Sequence, residues 1–209
     1  MACQVLDKQL CLLNMEKRKY TKTLRAKKQE NTRERIVEAT VALHEELGPA
    51  KTSIKAIAEK AGVQRLTVYR YFPDEFVLLE ACTGHWFNIH PPPDLAEWES
   101  LTDAAKRSHA ALLAFYRYYR ATETMLTGAY RDYDAVEAMR APMNRVETYL
   151  DQVRDDLLTH WKVKGKRKQQ LSLTLRHCLR FTTWQALKNE NLSDTQIVEL
   201  AMSWMKDYK

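Results

Sequence analysis

Apolar positions along this chain recur at three- and four-residue spacing, the pattern of helices that bury one face. The stretch from 52 to 72, TSIKAIAEKAGVQRLTVYRYF, shows it most clearly. Thr52 and Ser53 are residue types whose hydroxyls cap a helix start by accepting a free backbone N–H. Ile54, Ile57, Ala58 and Ala61 then form one stripe, and Gly62 is the residue type that ends a helix in the left-handed conformation. A second short helix opens at Gln64 or Arg65 and sets Val68 and Phe72 one turn apart on its inner side. At roughly 100° per residue, Arg70 points away from that pair, with Leu66 and Thr67 flanking it. Lys51, Lys55, Lys60, Arg65 and Arg70 stand against Glu59 alone. A packed helix pair has no need of a basic, aromatic outer face. A helix lying in the major groove of DNA does.

The same spacing predicts a long helix over 31–47, with Ile36, Val37, Thr40, Leu43 and Leu47 as its buried stripe. Asn31 or Thr32 would cap its start, and Gly48-Pro49 would stop it. Pro73, Asp74 and Glu75 suit the first turn of a fourth helix, which runs through Leu79, Cys82 and Trp86 towards His90. Pro91-Pro92-Pro93 is the sharpest break in the chain. Beyond it, residues 102–121, 123–133, 143–161, 167–189 and 193–207 read as amphipathic helices, punctuated by Pro142 and Gly165.

Residues 32–79 resemble the DNA-binding domain of the tetracycline-repressor (TetR) family of bacterial transcription regulators. The segments RERIVEATVALHEELG, TSIKAIAEKAGV and LTVYRYFP carry the resemblance. It implies an all-α fold: an N-terminal three-helix helix-turn-helix domain and a C-terminal helical domain for ligand binding and dimerisation. The limits expected are a basic arm over 1–30 without fixed structure, a DNA-binding domain over 31–77, and a second domain over 78–209. Lys55, Arg65 and Tyr69 match family positions that often contact bases, and Thr67 and Tyr71 match ones that hold phosphates. Thr32, by the family's habit, touches the DNA backbone from the helix start. Thr52, Ser53, Gln64, Leu66 and Arg70 complete the expected DNA-binding set. Two positions depart from the pattern. Leu66 stands where most relatives have Gly, Ala or Pro, and Glu75 stands where most have a phosphate-binding Lys, so that phosphate contact is not carried over.

Charge sharpens the picture. Residues 15–35 hold nine basic side chains, Lys17 to Arg35, against Glu16, Glu30 and Glu34, an excess equal to the chain's whole net charge of +6. A basic arm just before a helix-turn-helix suits phosphate neutralisation. Its alternative is a solvated tail with no partner. The cluster Lys162, Lys164, Lys166, Arg167 and Lys168 reads as a solvated loop, with a second nucleic-acid contact as its alternative. Met15 opens the arm and is an alternative start of translation.

Five Gly and six Pro in 209 residues favour helices. No apolar run is long enough to span a membrane, and the first 14 residues lack a signal peptide's basic region. Cys3, Cys11, Cys82 and Cys178 show neither metal-ligand nor disulfide spacing, which suits a reducing cytoplasm. No cofactor and no metal are expected.

The C-terminal helices offer no catalytic arrangement. His109, His160 and His177 have no partnered nucleophile, and Asp132 and Asp134 lie two apart, on different helix faces. An enzyme is therefore not expected. Aromatics are concentrated here instead, and the resemblance places a small-molecule cavity among these helices. Trp86, Tyr116, Tyr119, Tyr130, Tyr149, His177, Phe181 and Trp184 are the candidate ligand-binding residues; plain core packing is the alternative for each. In the family the last two helices pair with their twins. Here they carry Leu171, Leu175, Cys178, Leu179 and Thr182, then Ile197, Leu200, Ala201 and Trp204. The expected protein is a cytoplasmic homodimer that binds a palindromic double-stranded operator and is released by a small-molecule effector. Its alternative is a helical ligand-binding or adaptor protein of the same fold without an operator.

Overall fold

The computed structural model describes residues 2–208, with side chains from Arg25 onward. Ten α-helices follow in order: α1 (Ala2–Leu47), α2 (Ile54–Ala61), α3 (Arg65–Tyr71), α4 (Glu75–Ile89), α5 (Ala104–Ala121), α6 (Glu123–Asp132), α7 (Arg140–His160), α8 (Gly165–Cys178), α9 (Phe181–Asn189) and α10 (Asp194–Ser203). Short 3-10 turns join several of them, and no strand occurs among the described residues. The fold is all-α, with the helix-turn-helix at its N-terminal end.

Helix α1 does not begin at Asn31. It runs through from Ala2, so residues 2–30 of the stretch read as an unstructured arm continue the helix, and the basic residues up to Lys22 lie outside the described side chains. Its C-terminal half packs on α2, α4 and α6. Ile36, Val37, Thr40 and Leu43 are buried there as their spacing requires, and the Thr40 hydroxyl donates to the Ile36 carbonyl at 2.7 Å, which satisfies it without a partner. Leu47, the last of the predicted stripe, is 36% exposed, because the helix ends there.

One apolar cluster joins α1, α2, α3 and the first half of α4, through Ile57, Val68, Phe72, Leu78, Leu79 and Cys82. It runs on into α6 and α7 through Ala129, Met139 and Met143. A second cluster, from Trp86 to Met205, fills the remainder. The two meet along α4. Asp74 caps that helix by accepting the Val77 N–H at 2.9 Å. At its far end Pro93 is buried, and its carbonyl accepts the Tyr149 hydroxyl at 2.5 Å, so the proline run is pinned rather than loose. Arg107, which is buried, and the partly exposed Asp156 form an ion pair at 2.7 Å; the same guanidinium donates to the Trp98 carbonyl at 2.8 Å, fastening residues 95–98 onto α5 and α7.

The helix predicted over 167–189 is two helices. Arg180 is extended (φ −76, ψ 137), and the chain bends between α8 and α9. Two tyrosines one turn apart on α5 account for it. Tyr116 donates to the Cys178 carbonyl at 2.9 Å and Tyr119 to the Leu179 carbonyl at 2.5 Å. These carbonyls would otherwise be unsatisfied at a helix end. Helix α8 also begins earlier than predicted, at Gly165, so Lys166, Arg167 and Lys168 are exposed in its first turn rather than in a loop. Pro142 lies within the first turn of α7, where its missing N–H costs nothing.

Candidate nucleic-acid interface and cavity

The helix-turn-helix is built from local signals. Ser53 caps α2 by accepting the Ala56 N–H at 3.2 Å. Thr52, the neighbouring candidate, turns its hydroxyl to the Gly48 carbonyl at 2.9 Å. Gly62 ends α2 at φ 65 and ψ 40, and the Val63 N–H reaches back to the Ala58 carbonyl at 2.9 Å. The left-handed turn suits glycine. Arg35 on α1 donates to the carbonyls of Ala61 and Gly62, holding the turn against α1.

Val68 and Phe72 anchor α3 in the core. Leu66 is 78% exposed and Tyr69 50%, while Gln64, Arg65 and Arg70 are also on the surface. Thr67 and Tyr71 are half-buried at the flanks. Lys55 projects from α2 in an exposed pair with Glu59 at 3.8 Å. The Arg70 guanidinium lies 5.4 Å from the Tyr71 ring centre, so it is folded along the helix and has to swing out to reach a base. Glu75, at the start of α4, is exposed. Thr32 is set apart from the other candidates. It lies inside α1, where its hydroxyl donates to the Lys28 carbonyl at 2.8 Å instead of capping a helix start. Sequence reasoning counted Arg33 and Arg35 only among the basic side chains suited to phosphates. Arg33 sits over the Phe72 ring at 5.3 Å, so both arginines hold the domain together.

Between α4, α5, α6, α7 and α9 lies an apolar cavity of about 280 Å³. Four of the ligand candidates line it: Tyr119, Tyr130, Tyr149 and Phe181. A smaller lobe of about 70 Å³ lies towards α1 and is lined by Trp86, Tyr130, His44, Cys82 and three methionines, among others. Phe87, Leu126, Tyr130 and Val146 line both.

Three candidates are not at the cavity. Tyr116 is fully buried with its hydroxyl committed to the Cys178 carbonyl. Trp184 is fully buried with its indole N–H on Asp194 at 3.0 Å. His177 is exposed and lies 6.1 Å from the Trp204 ring. In turn, Phe87, Phe115, Tyr118 and Arg145 line the cavity and were missed. Arg145 could not be singled out, because its partner Glu80 is 65 residues away in sequence.

Burial dominates the electrostatics. It raises the Tyr119 phenol well above its usual value and pushes Tyr130 up to about 12. It lowers His44 to about 4, opposed in part by the Asp132 carboxylate, so the imidazole is neutral at neutral pH. Burial likewise pushes the Cys82 thiol up to about 12, a structural rather than a reactive cysteine. Among the described residues, no group of three or more His, Cys, Asp or Glu is placed to hold a metal ion, and no helix is long and apolar enough to cross a membrane.

Comparison with known proteins bears on the same region. A sequence model described as "Bacterial regulatory proteins, tetR family" matches residues 36–82, the stretch from α1 through the first half of α4. The HTH-type transcriptional repressor KstR of Mycolicibacterium smegmatis is 39% identical over 59 residues, covering 28% of this chain and 29% of that repressor. The similarity in sequence therefore spans under a third of either protein. In three dimensions it extends further. A TetR-like transcriptional regulator from Rhodococcus sp. RHA1 superposes with a TM-score of 0.58 at 18% identity, covering 82% of this chain and 92% of its own. A TetR transcription regulator from Haloarcula marismortui superposes with a TM-score of 0.59 at 18% identity, covering 86% and 96%. At such identities the likeness speaks for the fold. Proteins of this type are DNA-binding transcription factors and not enzymes. The helix-turn-helix is thus similar in sequence to the tetR family of bacterial regulatory proteins, and the all-α fold is shared with TetR-like regulators over most of the chain.

Proposed function

We propose that this chain is a homodimeric repressor, working in the cytoplasm, that releases a palindromic operator when a small molecule occupies its cavity. One observation carries the reading. Helix α4 packs Leu78, Leu79 and Cys82 into the helix-turn-helix core, and one turn beyond Cys82 it lines the cavity with Trp86 and Phe87. A ligand that favours a different position of α4 therefore alters the placing of α3. It does so only to the extent that it binds the two forms unequally.

The DNA-reading residues of this proposal are Arg65, Leu66, Tyr69 and Arg70, supported by Lys55, Gln64, Thr67 and Tyr71 at the edges. Two copies of α3 have to sit about 34 Å apart to enter successive major grooves. The dimer pairs through the outer sides of α8 and α10, where Leu173 is 62% and Trp204 39% exposed. Leu171, Leu175, Cys178, Leu179, Ile197 and Ala201 are spent inside the protomer and are not available to a partner. Glu75, an acid where relatives hold a phosphate, favours a second reading, an adaptor of this fold without an operator.

Selection of binding sites from random duplex DNA tests the proposal. A palindromic motif is expected. Failure to enrich any motif, with the protein folded and dimeric, overturns the repressor and leaves the adaptor.

A further inference from the structure

Trp86 is 5% exposed, lines the smaller lobe of the cavity, and its indole N–H has no hydrogen-bond acceptor. An indole N–H can only donate, and leaving it buried and unmatched carries a cost that a suitable ligand atom removes. None of the other polar groups around this lobe, the Thr83 and Tyr130 hydroxyls included, lies within hydrogen-bond reach of that N–H. The Cys82 thiol donates to the Leu79 carbonyl at 3.2 Å, and the neutral His44 ring faces the same sulfur at 3.8 Å. No charged side chain lines the lobe. An ionised group would be stripped of water there without a counter-charge, so an uncharged oxygen is the better match for the N–H.

The larger lobe ends differently. Its lining is aromatic and aliphatic apart from one cation, Arg145 on α7. That guanidinium is half-exposed and is held by the Glu80 carboxylate of α4. An anionic group reaching the mouth of the cavity competes with Glu80 for a planar, two-pronged partner.

We infer that the effector is an elongated apolar molecule with an anionic group at one end, bound to Arg145, and an uncharged oxygen acceptor at the other, bound to the Trp86 N–H. The lobes share Phe87, Leu126, Tyr130 and Val146, so one molecule can run through both. The inference rests on the reading of this cavity as the effector site. It adds a reason for α4 to respond: the anion takes Arg145 from Glu80, removing an α4–α7 tie, while the inner oxygen engages α4 itself.

The test uses the full chain without DNA and three probes: ω-hydroxydecanoate, decanoate and decane-α,ω-diol. Binding is measured by calorimetry, and the Trp86 indole N–H resonance, identified by its loss in Trp86→Phe, is followed by NMR. The hydroxy acid should bind about tenfold tighter than either probe lacking one group. It should shift the Trp86 resonance downfield, whereas decanoate should not. Trp86→Phe should abolish the advantage over decanoate, and Arg145→Gln the advantage over the diol. Equal affinities for all three probes with the cavity resonances perturbed overturn the inference alone. Absence of binding by any probe overturns it as well. Binding that leaves the Trp86 and tyrosine resonances of the cavity unmoved overturns the cavity reading beneath it.

Discussion

The Asp132 carboxylate accepts the backbone N–H of Ala50 at 3.0 Å, fastening the end of α6 to the loop between α1 and α2. Arg131 reinforces the tie from the side, donating to Asp132 at 2.6 Å and to the Leu47 carbonyl at 3.0 Å. Gly48 sits under this pair at φ 88, and a Cβ there would meet both side chains. The loop that leads into the helix-turn-helix is thus held by a helix that lines the cavity.

Replacing Asp132 with Asn removes the charge and leaves the tie weaker. The expected cost is about 1–3 kcal/mol, read by chemical denaturation. The same variant should alter operator affinity without changing the selected motif, because no base-reading side chain is touched. Unchanged affinity at reduced stability would show that the loop is anchored but not coupled to DNA binding.

Acid should destabilise the protein through His44. Burial holds the folded imidazole near 4 against an ordinary value of 6.5, so below 6.5 the unfolded chain takes up a proton that the folded one refuses. Stability is full above that value and falls as the pH drops towards 4, by on the order of 3 kcal/mol in total. Hydrogen bonding by Arg131 holds Asp132 below the usual carboxylate range, so its contribution persists under those conditions and is lost only in stronger acid. Thermal melts against pH should show the slope, and His44→Gln should flatten it.

Tyr116 and Tyr119 share a structural task but differ in where they sit. Tyr116→Phe and Tyr119→Phe each leave a buried carbonyl at the α8 end without its donor, at a cost of roughly 1–3 kcal/mol. Only Tyr119 lines the cavity, so only its variant should change the affinity of a cavity ligand. Calorimetry on both variants separates the roles. Equal ligand affinities in both would make Tyr119 an ordinary core residue.

On α3, Arg70→Ala should relax specificity at one G·C pair per half-site, with roughly 1–3 kcal/mol of discrimination lost. Tyr71→Phe should weaken all sites alike. Leu66→Ala should lose preference at a T if the exposed Leu packs on a thymine methyl. Binding-site selection with each variant reads these outcomes. A uniform loss for Arg70→Ala would make that arginine a phosphate clamp, consistent with its folded position over Tyr71.

Deleting residues 1–28 removes most of the basic excess that precedes the helix-turn-helix. Binding to all duplexes should weaken, and the dependence of log affinity on log salt should become shallower. A slope that does not change means that this segment touches no phosphates.

The helix-turn-helix was legible in the sequence because its signals are local. Ser53, Gly62 and the Val68–Phe72 pair act within a few residues of themselves, through caps, a left-handed turn and helical periodicity. The aromatic character of the cavity could be read as a composition, and Tyr119, Tyr130, Tyr149 and Phe181 do line it. What separated them from Tyr116 and Trp184 was long-range. Tyr116 and Trp184 are enclosed by the surrounding helices with no cavity beside them, and a tyrosine in a pocket has the same spacing as one in a core. The α8–α9 break was hidden for the same reason. Nothing between 167 and 189 forbids a continuous helix; the donors that end it come from α5. Periodicity and capping chemistry therefore settled the helix-turn-helix and the outward face of α3. Tertiary structure alone decided which buried polar groups found partners, and so which of the described ones, the Trp86 N–H among them, were left without.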